Sequence, residues 1–108
     1  MTTLSPPTQP ISIDQIIDTV CDTLSVKRAE LMSVSKRNEV ARARQAVYTL
    51  AHTYAMMNYS DIGRHMKRDH TSVLYGIKTV RRALKVDEWW QNTMRCFDVK
   101  LRELAVAA

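Results

Sequence analysis

SDIGRHMKRDHTSVLYGIKTV, residues 60–80, contains two stretches with helical spacing separated by a short polar turn. After the turn, polar side chains come first, at Asp69, His70 and Thr71, and an apolar series with helical periodicity follows. Asp69 is a favourable N-cap for the second stretch, because its carboxylate can accept from the first free amides. Two helices joined by a tight turn, after a longer helix, predict a helix-turn-helix.

The second stretch is polar in its first half and apolar in its second half, and this division predicts a different role for each half. In helix-turn-helix proteins, the first residues of the second helix reach base edges in the major groove. The N-terminus of a helix also presents free amides that suit phosphate. The apolar half would anchor the helix in the core through Val73, Ile77, Val80 and Leu84, with Leu74 widening the buried stripe.

Further amphipathic helices are predicted on both sides of this segment. The chain has two glycines and three prolines, and all three prolines lie in the first ten residues, so little else interrupts a helix. Apolar spacing predicts helices at 13–24 behind a Ser12 N-cap, 27–32, 39–56, 61–66 behind a Ser60 N-cap, 70–84 and 87–105. In the last helix the inward residues are predicted to be Trp90, Met94, Phe97, Leu101 and Leu104.

These elements predict an all-α, multi-helix bundle with no strand. Residues 1–11 are expected to form a flexible N-terminal tail, because they are rich in proline and poor in apolar side chains. A single domain is predicted over 12–106, with the helix-turn-helix at about 60–84 and the C-terminal helix at about 87–105.

Positive charge is concentrated in the middle of the chain. The formal net charge is +5, yet residues 27–85 contain thirteen Lys or Arg against four Asp or Glu. A basic segment within a folded domain favours a polyanionic partner such as nucleic acid. The alternative is a solvated basic surface without a specific partner.

Several function classes lack their signals. Cys21 and Cys96 are far apart, and the three histidines are scattered, so neither a disulfide framework nor a metal site is predicted. No apolar run approaches the roughly 18 residues of a membrane span, and no GxxxxGK[ST] loop is present. We therefore expect no cofactor, no bound nucleotide and no membrane partner, in a cytoplasmic, nucleoid-associated protein.

RDHTSVL at 68–74 resembles the RDHTTVL signature of the C-terminal DNA-binding domain of the bacterial replication initiator DnaA. ARARQAVY at 41–48 is similar to the family's basic helix start, and YSDIG at 59–63 to its "s-x-x-eIG" segment. The resemblance runs from about Ile13 to Leu104. It implies a fold shared with the Trp repressor superfamily and binding of double-stranded DNA at initiator-type boxes, in replication or transcription control.

The resemblance also implies roles for particular residues. Major-groove contacts fall on Arg68, Asp69, His70, Thr71 and Ser72, with Arg68 on a guanine or on the backbone. Minor-groove insertion falls on Lys36 or its neighbour Arg37 in a basic loop, and the sequence leaves the choice open. Backbone contacts are predicted for Arg42, Arg44, Gln45, Ser60 and Lys67. Base chemistry fits this assignment, because Asp69 can accept from cytosine and the Thr71 methyl can pack on thymine.

This chain departs from the family pattern in two ways. Four residues, 64–67, separate IG from RDH where the family has five, so the turn lacks one residue and its usual glycine. This shortening predicts either a changed tilt of the second helix or a changed box. The family's ATP-binding and N-terminal partner domains have no counterpart here, which suggests a free-standing copy of the DNA-reading module.

Three other functions compete with specific DNA binding. A protein-interaction adaptor for the replication initiator or another replisome protein is suggested by the short turn, Ser72 and the Trp89–Trp90 pair. Non-specific, nucleoid-type binding would need only the basic middle. A hydrolase triad of Asp69, His70 and Ser72 is disfavoured, since adjacent residues cannot usually align as nucleophile, base and orienting acid, and no enzyme activity is expected. An asymmetric box favours a monomer, with a dimer through the last helix as the alternative.

Overall fold

The computed structural model describes residues 11–107, so the predicted tail falls almost wholly outside the described residues. Within that range the chain forms six α-helices and no strand. They are α1 (Ile13–Leu24), α2 (Arg28–Leu31), α3 (Asn38–Tyr54), α4 (Tyr59–Met66), α5 (His70–Val86) and α6 (Glu88–Ala107). The predicted all-α fold class is therefore confirmed, with helix boundaries within about two residues of the predicted ones.

One apolar core joins all six helices. The long helix α3 lies at the centre, packed against α1 on one side and α5 on the other, while α6 closes the bundle against α1 and α5. The fully buried large side chains of the core include Ile16, Ile17, Leu31, Leu50, Tyr54, Ile62, Met66, Ile77, Met94, Phe97 and Leu101.

Side-chain caps set where several helices begin. Ser12 and Gln15 form the reciprocal capping box that starts α1. Helix α4 begins at Tyr59, and its N-cap is Asn58, whose Oδ1 accepts from the Asp61 amide at 2.8 Å. The prediction of Ser60 as that N-cap was wrong, because Asn58 is an equally strong cap two residues earlier and starts the helix sooner.

A part-buried polar contact joins helix α6 to α3. The Tyr54 hydroxyl donates to Asp98, which also accepts from Arg102 Nε at 2.9 Å and 3.1 Å. Burial, and then Asp98, raise the pKa of Tyr54 well above its usual value. The prediction that Leu104 of α6 points inward was wrong, because Leu104 is 38% exposed. Ala105 packs inward instead and continues the buried line one turn after Leu101.

The two glycines lie where helices approach closely. A Cβ on Gly76 would lie 2.7 Å from Cδ2 of Tyr48, so this position lets α5 rest directly on the Tyr48 ring of α3. The close contact supplies the reason for a helix-weakening glycine in the middle of α5.

None of the helices in the described part of the chain is both long and apolar enough to cross a membrane.

Candidate nucleic-acid interface

The turn between α4 and α5 is tight and depends on Gly63. The Arg68 amide donates to the Gly63 carbonyl at 2.7 Å, which closes the end of α4. A Cβ on Gly63 would lie 2.5 Å from the Arg68 carbonyl oxygen. Lys67 occupies the left-handed region at φ 56° in this turn, a conformation that usually calls for glycine. The shortened turn is thus made without glycine at its left-handed position.

Helix α5 begins with exposed polar side chains and continues with buried apolar ones. Asp69 is the N-cap, and its carboxylate lies 3.5 Å from the Thr71 amide and 3.3 Å from His70 Nδ1. The side chains of Asp69 and His70 are each about two-thirds exposed, and Thr71 and Ser72 are exposed as well. Val73 is fully buried one residue later. The polar end therefore projects from a helix that the core holds in place.

A shallow groove runs along this end of the motif. It is lined by Ser60, Gly63, Arg64, Lys67, Arg68, Asp69 and His70. Four exposed members of the predicted interface therefore share one concave surface: Ser60, Lys67, Asp69 and His70. Arg64 was missed by the sequence reasoning; its only signal is its position four residues after Ser60, on the same face of α4. It pairs with Asp61.

The basic loop, residues 33–37, comes to the same side of the molecule. It joins α2 to α3, and its Ser33 carbonyl accepts from the guanidinium of Arg68 in the turn. Lys36 is exposed and makes no hydrogen bond or ion pair within residues 11–107. Arg37 pairs with Glu30 Oε2. Of the two candidates for the minor groove, Lys36 is the one with an uncommitted charge.

The side chain of Arg44 is buried, although a contact with the DNA backbone was predicted for it. Its side chain lies under the basic loop with 9% of its surface exposed, and Nε donates to the Leu31 carbonyl at 2.8 Å. Its two terminal nitrogens donate to the carbonyls of Ser35, Ser33 and Glu30. Burial, and then the nearby charge of Arg68, lower the pKa of Arg44. A phosphate contact does not fit this burial, because the guanidinium is already surrounded by backbone acceptors.

The remaining predicted backbone contacts lie apart from one another. Gln45 is half-buried and lies next to Gly76, where α3 meets α5. Arg42 lies over the Trp89 ring, with its guanidinium carbon 4.8 Å from the ring centre, near the start of α6. The structure thus brings together the loop, the turn and the start of α5, and places Arg42 elsewhere, in a groove with Glu39 and the C-terminal end of α1.

No group of three or more His, Cys, Asp or Glu side chains suited to a metal ion occurs in the described range. Both cysteines are free thiols.

Comparison with known proteins identifies the family. The sequence pattern of the family described as "Bacterial dnaA protein helix-turn-helix" matches residues 13–80. The chain belongs to this family. DNA binding in replication initiation is the general role of such DnaA C-terminal domains.

The similar curated proteins include several chromosomal replication initiator proteins DnaA. That of Bacteroides fragilis is 30% identical over 101 residues, covering 93% of this chain and 21% of the relative. That of Rickettsia akari is 33% identical over 94 residues, covering 86% and 18%, and that of Caulobacter vibrioides is 32% identical over 93 residues, covering 85% and 19%. The chain spans about a fifth of the length of the curated relatives it matches.

Proposed function

We propose that this DnaA-type domain binds double-stranded DNA sequence-specifically, with the start of α5 in the major groove. The observation that carries the proposal is the exposed turn of polar side chains at 69–72 on a helix whose next residue, Val73, is fully buried. A fixed helix end with free amides and hydrogen-bonding side chains can enter the groove without reordering. Asp69, His70 and Thr71 would read base edges, and Ser72 would make a weaker contact.

Lys36 is proposed as the minor-groove residue, with Lys67 and Ser60 at the phosphate backbone. Lys36 has no partner to give up on binding within the described residues, whereas Arg37 would have to leave Glu30. The predicted base or phosphate contacts of Arg44 and Arg68 are not part of this proposal, because both guanidinium groups donate to main-chain carbonyls.

The biological role we propose is occupation of initiator-type boxes in control of replication initiation or transcription. The support is family membership and the name that the relatives share, chromosomal replication initiator protein. The adaptor alternative draws less support, because Trp90 is buried and the exposed face of Trp89 is partly covered by Arg42.

Fluorescence anisotropy with two labelled duplexes, one carrying an initiator box and one scrambled, tests the proposal. Thr71→Ala should cost about 1–3 kcal/mol of binding free energy at the box and little at the scrambled duplex. Thr79→Ala is the matched control: Thr79 is an exposed threonine two turns further along α5, and its hydroxyl donates to the Tyr75 carbonyl.

The salt dependence of binding separates the alternatives. Each phosphate contact adds about −0.9 to the slope of log K against log salt for either duplex. A box preference that persists as salt rises supports base reading. Equal binding to both duplexes, with Thr71→Ala indistinguishable from wild type, would contradict it and favour non-specific binding.

A further inference from the structure

The backbone of the basic loop is held by arginine side chains from outside it. Helix α3 contributes Arg44, which donates to the carbonyls of Ser33 at 2.6 Å and Ser35 at 2.5 Å. The same guanidinium group reaches the Leu31 carbonyl at 2.8 Å and the Glu30 carbonyl at 3.1 Å, at the end of α2. One side chain therefore connects both ends of the chain segment that leads to Lys36.

A second arginine connects the loop to the helix-turn-helix. Arg68 lies in the turn before α5, and its guanidinium group donates to the Lys67 carbonyl at 3.1 Å and to the Ser33 carbonyl. The Ser33 carbonyl thus accepts from both arginines. Carbonyl oxygens offset the repulsion between the two like charges: four accept from Arg44 and two from Arg68, with the Ser33 carbonyl shared.

We propose that Arg44 and Arg68 are positioning residues that hold the basic loop at a fixed distance from the start of α5. Lys36 would then contact the minor groove, and residues 69–71 at the start of α5 would contact the major groove. The two would act as one rigid surface on a single DNA site. The inference rests on the proposed function, and it assigns these two arginines to the protein's own backbone rather than to DNA.

The chemistry of arginine explains why this residue type is required at position 44. A guanidinium group has five N–H donors in a planar arrangement, and Arg44 uses both terminal nitrogens and Nε on four carbonyls. A lysine ammonium has three donors at one point and cannot span them. Lysine remains an adequate partner for phosphate as a point charge, so Arg44→Lys separates a positioning role from a direct phosphate contact.

The test is a double-mutant cycle on box binding with Arg44→Lys and Lys36→Ala. Each single variant is expected to weaken box affinity on the order of tenfold. The double variant should bind no worse than Lys36→Ala alone, because Arg44 acts through Lys36. Additive effects in the double variant would overturn the proposal in favour of direct DNA contact, and wild-type affinity of Arg44→Lys would overturn it as well.

The matched control is Arg95→Lys, a conservative change at an exposed arginine of α6 that donates to Asn92. It should bind the box like wild type. If circular dichroism shows that Arg44→Lys does not fold, Arg68→Lys takes its place in the same cycle with Lys36→Ala. Arg68 is only partly buried, so its replacement leaves the core intact, and additivity there counts equally against the proposal.

A measurement without DNA keeps the two proposals separate. Amide NMR order parameters of residues 33–37 should lie near 0.85 in the wild type and fall below about 0.6 in Arg44→Lys, while those of α5 remain high. A loop that loosens in a protein with no box preference would contradict the proposed function and retain the positioning role. A loop that stays ordered in Arg44→Lys would overturn the positioning role whatever the DNA result.

Discussion

Two basic regions of this molecule differ in how their charges are held. In the basic loop at 33–37, the Ser33 and Ser35 carbonyls accept from Arg44, the Ser33 carbonyl accepts from Arg68 as well, and Lys36 is exposed. The second region, the α5 stripe, consists of Lys78, Arg81, Arg82 and Lys85, which are all exposed and make no ion pair within residues 11–107.

The comparison shows that the amount of positive charge in a region does not determine how its charged side chains are positioned. Both regions contribute to the basic excess visible in the sequence, and both attract a polyanion. The loop is held to the turn before α5 by Arg68, whereas the α5 stripe begins about two turns further along the same helix. We expect the loop and turn to decide which DNA is bound, and the α5 stripe to affect how strongly any DNA is bound.

The largest expected effect is a loss of stability from a change in the turn between α4 and α5, to which the basic loop is joined. Gly63→Ala places a Cβ 2.5 Å from the Arg68 carbonyl oxygen, a backbone atom that cannot move without opening the turn. We expect a decrease of about 2 kcal/mol in the free energy of unfolding, measured by urea denaturation, even after the gain in helix propensity.

Gly76→Ala is the control for that substitution. Its Cβ would meet the Tyr48 ring at 2.7 Å, and a side chain can shift more easily than a backbone. The decrease in unfolding free energy should be smaller, about 1 kcal/mol or less. If Gly63→Ala is no more destabilising than Gly76→Ala, the turn is not as tightly constrained as the structure indicates.

Neutralising part of the α5 stripe tests whether this stripe affects only the strength of DNA binding and not the choice of DNA. Lys78→Ala combined with Arg82→Ala should weaken binding to the box and to the scrambled duplex by the same factor, up to about tenfold at low salt. If either residue binds a phosphate group, the salt slope should become shallower by about 0.9 for each such residue that is replaced. A selective decrease in box binding would show that the α5 stripe takes part in recognition and would remove the distinction between the two regions.

A smaller, favourable effect is expected at the left-handed residue of the turn. Lys67 has φ 56°, and this conformation costs a residue with a Cβ roughly 1 kcal/mol relative to glycine. Lys67→Gly should therefore be more stable than Lys67→Ala by about 1 kcal/mol in urea denaturation. Both variants lack the charge, so equal weakening of DNA binding in the two would assign the binding effect to the ammonium group. Equal stability of the two variants would contradict the strain argument.

The smallest expected effect is a pH dependence of stability from Asp14. Its carboxylate accepts from Arg28 of α2 at 2.8 Å and lies 3.4 Å from His65 of α4. The Arg28 hydrogen bond, with a smaller contribution from His65, lowers the pKa of Asp14. A carboxyl whose folded pKa is lowered stabilises the protein above its unfolded pKa, about 3.9, and this contribution disappears as the pH falls through the folded value.

The measurement is the urea midpoint of wild type and Asp14→Asn at neutral pH and at progressively lower pH. The difference between them should be present at neutral pH and disappear in acid. Asp22→Asn is the control, at an exposed position two turns further along α1 without a side-chain hydrogen bond or ion pair within residues 11–107. A difference for Asp14→Asn that does not depend on pH would exclude the ion pair as its cause.

Much of the architecture could be predicted because it depends on local sequence. Helical spacing of apolar residues indicated every helix, and the polar-then-apolar order after KRD indicated which end of α5 would be exposed. These features follow from neighbours within one or two turns, so a single sequence contains them. The main local error, Ser60 rather than Asn58 as N-cap, arose because two good caps lie two residues apart.

Long-range contacts were not predictable in the same way. The family resemblance implied a DNA backbone contact for Arg44. Folding instead covers it with the end of α2 and the basic loop, whose carbonyls lie 9 to 14 residues earlier in the chain. The fit of Gly76 against Tyr48 likewise depends on the packing of α3 on α5. Backbone carbonyls such as that of Ser33 have no sequence signal at all, because every residue has one.

The sequence by itself therefore determined the helices, the helix-turn-helix and the polar residues at its tip, since hydrophobic periodicity and capping act over short distances. Only the tertiary structure decided which arginines remain available to a partner. Arg44 and Arg68 donate to carbonyls that come within reach when α2, α3 and the turn pack together, whereas Lys36 is exposed and makes no hydrogen bond or ion pair within residues 11–107.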